Sequence, residues 1–258
     1  MVTTERTGST LLVTIDRPER RNAVDGDTAD ALQAAYEAFV ADDGARVMVL
    51  TGAGDVAFCA GADLKAIDTL TRRLDSVGGP LGFTRLISPK PTIAAVSGWC
   101  LAGGLELALW CDVRIATTTA TFGFAERRWG VPLIDSGTQR ISRIIGLGRA
   151  LDLVLSGRMV EASEAERIGL VTTLVEPGAH VSRALEYADA LAAFPQETML
   201  SDRRALLEGL GETLRDGIAL EAAIGIPSSV VGALGAARFA AGEGRGGSVP
   251  RRAMEGEQ

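Results

Sequence analysis

The sequence predicts an α/β fold with an all-helical C-terminal third. Short apolar runs of strand length alternate with helical patterns through the first two-thirds of the chain. Glycines stand where one period gives way to the other, and beyond Pro195 only helical periodicity remains. On its own, such alternation points to a doubly wound parallel sheet.

In chain order, Thr10 to Ile15 reads as a strand, followed by a polar loop from Asp16 to Ala23. A helix over Asp27 to Val40 puts Ala31, Leu32, Ala35 and Phe39 on one face. Arg46 to Leu50 is a strand entering Thr51-Gly52-Ala53-Gly54, and Phe58 to Lys65 is a turn leading into a helix. Residues 66 to 90 are irregular, with Gly78-Gly79-Pro80 as a breaker. Thr92 to Val96 is a strand feeding a very apolar helix that begins near Gly103. Asp112 to Ala116 and Thr121 to Phe124 are strands, and helices follow over Asp135 to Ile145 and Arg149 to Leu155. Ser163-Glu164-Ala165-Glu166 has the form of a capping box opening a short helix that Gly169 closes, and Leu170 to Val175 is a last strand. In the remaining helical part, Gly211 and Pro227 mark the boundaries.

Composition narrows the function. A chain of 258 residues with 47% hydrophobic and 23% charged residues suits a globular protein with a sizeable core. A net charge of −7 without a basic stripe excludes general nucleic-acid binding, so an anionic ligand would need a local cluster of cations. The polar N-terminus has no signal-like apolar core, and no uninterrupted apolar run approaches about 18 residues, so no membrane association is expected. Cys59, Cys100 and Cys111 form neither a disulfide framework nor a metal motif, which points to the cytoplasm. His180 is the only histidine and precedes a surface helix, which disfavours a Ser-His-Asp triad or a histidine-rich metal site. A nicotinamide site is disfavoured as well, because no G-x-G-x-x-G follows the first strand.

The chemistry concentrates in Trp99 to Trp110. Gly103 and Gly104 open a helix, and Glu106 follows within its first turn. A helix start exposes unpaired N–H groups and the positive dipole end, and desolvation there raises a carboxyl pKa. Oxyanion donors beside a poised carboxyl are what enolate chemistry on an acyl group requires. The simpler reading is a dipole-complementing Glu and two packing glycines. Ala60-Gly61-Ala62-Asp63 repeats the arrangement some forty residues earlier, which provides a second donor loop.

Together, Arg17-Pro18, Asn22-Ala23, Phe58 to Leu64, Ala102 to Ala108 and Gly137 to Arg140 resemble the enoyl-CoA hydratase/isomerase (crotonase) superfamily in order and spacing over residues 10 to 175. The resemblance implies a spiral of β-β-α units over residues 1–195 that carries the active site. It implies a helical oligomerisation region over 196–241, assembling a homotrimer or hexamer, and 242–258 reads as a disordered tail. It also implies an acyl-CoA thioester substrate whose carbonyl is held by the N–H groups of Ala62 and Gly103. Contacts to the CoA moiety fall on Arg21, Ala23, Ala60, Asp63 and Lys65. No metal or redox cofactor is implied, coenzyme A being part of the substrate.

Two glutamates serve the hydratases as acid and base, and these positions match Glu106 and Glu126. The simpler reading of Glu126 is a surface ion pair with Arg127 or Arg128. After Glu126 the chain departs from the hydratase pattern, placing Pro132 one position early and adding Asp135. Asp135 is a candidate proton shuttle or nucleophile, or else the N-cap of a helix beginning at Ser136. Ala102 stands where hydratases commonly have glycine. The expected activity is hydration of a 2-enoyl-CoA; the alternatives are a double-bond isomerase and a non-catalytic acyl-CoA-binding homologue. Ile67, Leu70, Leu74, Leu81, Phe83 and Trp129 are the expected lining of the acyl pocket.

Overall fold

A computed structural model describes residues 1–243. The chain divides into two compact units, the first Met1–Asp189 and the second beginning at Ala190; the sequence reading placed its boundary at 195. The first unit begins with strands β1 (Val2–Thr7) and β2 (Thr10–Ile15), helix α1 (Gly26–Ala41), and strands β3 (Val47–Gly52) and β4 (Ala57–Cys59). Helix α2 (Ile67–Thr71), strands β5 (Thr92–Val96) and β6 (Trp99–Leu101), helix α3 (Gly103–Trp110), and strands β7 (Val113–Thr117) and β8 (Thr121–Gly123) follow. Then come α4 (Gly137–Ile145), α5 (Leu147–Ser156), β9 (Val160–Glu161), α6 (Ala162–Arg167), β10 (Thr173–Val175) and α7 (His180–Ala193).

The strands form two sheets where a doubly wound fold would have one. The larger runs β1-β2-β3-β5-β7-β10, parallel except for the β1–β2 hairpin, and the smaller runs β4-β6-β8-β9. Each turn of the spiral contributes one strand to each sheet and then a helix: β3-β4-α2, β5-β6-α3, β7-β8-α4. β3 and β5 are buried along their whole length, as strands covered on both faces must be. Phe39, Phe58, Phe122 and Phe124 fill the space around them.

Several expectations change. Polar, largely exposed β1 was not foreseen, and neither were β4 and β6, each three residues long. The capping box is absent: Glu161 is the N-cap of α6 and Ser163 lies inside the helix. His180 is buried at the start of α7 instead of preceding a surface helix. Phe83 is not a pocket residue but a core residue, 0% exposed, with its ring centroid 4.4 Å from that of Trp110.

In the second unit, helices α8 (Gln196–Glu208), α9 (Leu214–Gly225) and α10 (Ser229–Ala240) succeed one another, with Pro227 in a 3-10 turn between the last two. Leu214, Ile218, Val230, Leu234 and Phe239 are all exposed. The helical run Leu214–Ala240, 27 residues, is long and apolar enough to cross a membrane by length and composition, although no uninterrupted apolar stretch of that length exists. The expected tail lies, from residue 244 on, outside the described residues.

Ala102, joining β6 to α3, sits at φ 53° and ψ −127°, a conformation suited to glycine. Such strain costs about 1–3 kcal/mol, partly offset by the lower unfolded-state entropy of alanine, about 0.4–1 kcal/mol. Ala102→Gly should therefore raise stability by about 1 kcal/mol in urea unfolding; a loss of stability would show that the alanine methyl packs well enough to outweigh the strain.

Candidate active site

The site is assembled where β4 and β6 end. These strands pair in parallel with Cys59 opposite Cys100, so the turns that follow emerge side by side. Gly61 adopts φ +92°, and a Cβ there would stand 2.8 Å from Ala102 Cβ and 2.9 Å from the Gly103 nitrogen. Only glycine lets the two turns approach this closely. A Cβ on Gly104 would lie 2.0 Å from the Cys59 carbonyl oxygen, so this glycine serves packing of α3 against β4. The N–H groups of Ala62 and Gly103 have no acceptor among the described residues. In this way the fold brings the two expected donors together.

Glu106 lies one turn into α3 and is 3% exposed. Its Oε1 accepts from the N–H of Asp135 at 3.0 Å and of Gly137 at 2.8 Å, at the start of α4. Burial, and then the neighbouring Asp135 carboxyl, push its pKa up to about 8 against the pull of those two hydrogen bonds. Glu126, in the 3-10 turn Ala125–Trp129, is also buried, and among the described residues neither carboxyl oxygen has a hydrogen-bond partner. Burial raises it to about 7. Arg127 and Arg128 next to it are exposed, and no ion pair to Glu126 forms.

Asp135 is not the N-cap of α4. That position belongs to Ser136, at φ 75° and without a side-chain cap. Asp135 Oδ1 instead accepts from the Thr84 hydroxyl and from the Leu81 N–H at 3.1 Å. Burial raises its pKa, opposed first by those two bonds and then by Arg85 and Arg140. The segment bearing Thr84 is fixed in turn: its carbonyl accepts from Arg140 and, at 3.2 Å, from the Ser136 hydroxyl, while Arg85 donates to the Ile134 carbonyl at 3.1 Å. Sequence reasoning missed Thr84, Arg85 and the Leu81 N–H, because these contacts cross about 50 residues of irregular chain.

Glu106, Glu126 and Asp135 all line one cavity of about 400 Å³, within the range of small-molecule sites. Ala60, Ala62 and Gly103 line its polar end, and Ile67, Leu70, Leu74, Leu81 and Trp129 supply the greasy wall, five of the six residues expected. Among the described residues, no three metal-ligating side chains converge.

The residues expected to bind CoA divide. Arg21 and Lys65 are exposed cations, and the Ala60 N–H donates to the Arg21 carbonyl at 3.0 Å. Ala23 is buried, with its carbonyl taken by Arg17. Asp63 is committed inward, paired with Arg17 at 3.2 Å and accepting from the Lys65 N–H at 3.1 Å. Arg17 also bridges Asp25 at 2.7 Å. Asn22, another residue at positive φ, pins this loop to β4 by donating to the Ala57 carbonyl at 2.6 Å. The Arg17-Pro18 and Asn22-Ala23 signals thus mark scaffolding under the donor loop.

Glu106 and Glu126 hold protons more tightly folded, at about 8 and about 7, than unfolded, at 4.5. Between those limits the folded state carries the extra protons, so the contribution of these two groups to stability is full below about pH 4.5 and is lost as pH rises toward 8. Urea unfolding at pH 5 and pH 8 should show that decline in the wild type and a shallower one in Glu106→Gln. An equal decline in both would place its source elsewhere.

The family described as enoyl-CoA hydratase/isomerase matches residues 5–224. A probable enoyl-CoA hydratase of Rhizobium meliloti is 40% identical over 223 residues, 84% of this chain and 85% of the relative. An (E)-benzylidenesuccinyl-CoA hydratase of Thauera aromatica is 36% identical, covering 84% of this chain and 86% of the relative. The crystal structure of an enoyl-CoA hydratase from Mycobacterium marinum superposes with a TM-score of 0.87 at 34% identity, covering 97% of both chains. With two donor loops, a first-turn glutamate and the β-β-α spiral all in place, the chain belongs to the enoyl-CoA hydratase/isomerase family.

Proposed function

We propose that this protein is a lyase adding water across the 2,3 double bond of a 2-enoyl-CoA thioester. One observation carries the reading: two unsatisfied N–H groups converge beside two buried carboxyls, one of which has no partner of its own. The thioester oxygen would sit between Ala62 and Gly103, where charge develops as the enolate forms.

Burial draws both glutamates up toward neutral pH, where each can hold or release a proton. Hydration needs the charge on Glu106, whose Oε1 has two N–H donors to stabilise it, and the proton on Glu126, which has no hydrogen-bond donor among the described residues. Glu106 takes a proton from water as the water oxygen bonds to C3. The electrons of the double bond move onto the thioester oxygen. Glu126 then delivers its proton to C2 as the enolate collapses, and the pair is restored by one proton transfer. Asp135 raises the basicity of Glu106 through its nearby charge. Arg21 and Lys65 would meet the CoA phosphates, near the backbone of Ala23, Ala60 and Asp63. The three buried, unpaired thiols accord with a reducing compartment such as the cytoplasm.

The rival reading, double-bond isomerisation, needs a single moving proton and no bound water. Glu126 favours hydration, since it supplies a second carboxyl on the wall of the cavity that Glu106 lines. Relatives are named for acyl groups as unlike as benzylidenesuccinyl, so family membership leaves the acyl group open. The exposed apolar faces of α9 and α10 would be covered by other copies of this chain, in a trimer or hexamer.

Turnover of 2-enoyl-CoA esters in heavy-oxygen water should place the label at C3, with Glu106→Gln and Glu126→Gln each about 10²- to 10⁴-fold slower. The wild-type preparation should sediment as a trimer or hexamer. Isomerised product without label would transfer the assignment to isomerase, and a monomer would remove the proposed role of the C-terminal helices.

A further inference from the structure

The backbone of residue 135, not its side chain, holds Glu106, and any residue there would supply that N–H. The carboxyl needs a separate reason, because burying an acid against an apolar wall is costly unless it is partnered. Asp135 is 4% exposed. Its Oδ1 is satisfied by the Thr84 hydroxyl and the Leu81 N–H. Its Oδ2 makes no hydrogen bond among the described residues and, unlike both oxygens of Glu126, keeps some exposure, in a residue that lines the cavity. Around it that wall is Leu74, Pro80, Leu81 and Ile134.

We infer that Asp135 Oδ2 is a subsite that reads a hydroxyl group on the acyl chain, and that Thr84 is the positioning residue that aims it. A hydroxyl fits the arrangement better than a cation. It enters an apolar cavity at smaller desolvation cost, and Arg85 and Arg140 already lie near Asp135. Because Asp135 adjoins Glu106, the hydroxyl belongs on the carbons just beyond the reacting pair, C4 or C5. This placement rests on the acyl-CoA reading of the site. An ester lacking the hydroxyl leaves a buried carboxyl oxygen unpartnered, which is the strongest basis a pocket has for rejecting an analogue.

Saturated esters cannot be hydrated, so their affinity tests the subsite whether or not the enzyme is a hydratase. Calorimetry on the full chain would compare butanoyl-CoA with 4-hydroxybutanoyl-CoA, and pentanoyl-CoA with 5-hydroxypentanoyl-CoA. At least one hydroxylated ester should bind about 10- to 100-fold tighter than its partner. That preference should vanish in Asp135→Ala, weaken in Thr84→Val and largely survive in Asp135→Asn, which retains a polar atom at the opening. Equal or weaker binding of both hydroxylated esters to the wild type would overturn the subsite, as would a preference that persists in Asp135→Ala. Failure of every ester to bind would overturn the acyl-CoA reading itself.

Discussion

Everything at the site depends on how closely two strand ends approach. The pairing of Cys59 with Cys100 fixes β4 against β6, and the chain must then leave both strands through turns with no room for a side chain at Gly61 or Gly104. At these turns the N–H groups of Ala62 and Gly103 have no acceptor among the described residues. The strain at Ala102 belongs to the same geometry, a local conformation held by the surrounding structure.

Electrostatics builds on that frame. An acidic chain places three carboxyls in one largely apolar cavity, and each is held at a raised pKa chiefly by burial. Their surroundings differentiate them. Glu106 is steadied by backbone donors, Asp135 by Thr84 and the Leu81 N–H, and Glu126 by no hydrogen bond among the described residues. Groups with similar intrinsic acidity thereby become suited to different tasks, the usual way in which paired carboxyls divide acid from base.

The donor loops and Glu106 were legible in the sequence because each is local: a glycine at a strand end and an acid one turn into a helix are visible within a dozen residues. Five of the six cavity residues were legible because greasy positions in an irregular segment have few other uses. Phe83 misled for the same reason, since its ring turns inward to stack on Tyr36 and pack at a tilt against Trp110. The stitching of Asp135 to Thr84 and Leu81 was out of reach, because nothing in either segment announces a partner some fifty residues away. Three-residue β4 and β6 carry too little pattern to be read as strands, and so the generic single sheet failed in favour of two. Arg17 and Asn22 were visible as a motif, but only the fold shows that they brace the loop below the site.

The central claim is that the N–H groups of Ala62 and Gly103 polarise a thioester carbonyl. Isotope-edited infrared spectroscopy of a bound acyl-CoA labelled at that carbonyl tests it directly. The stretching band should move to lower frequency on binding to the wild type and to Glu106→Gln, and should stay near its solution position in Gly61→Ala, where the added methyl forces the two turns apart. An unshifted band in the wild type, or a shift that disappears only with Glu106, would contradict the account.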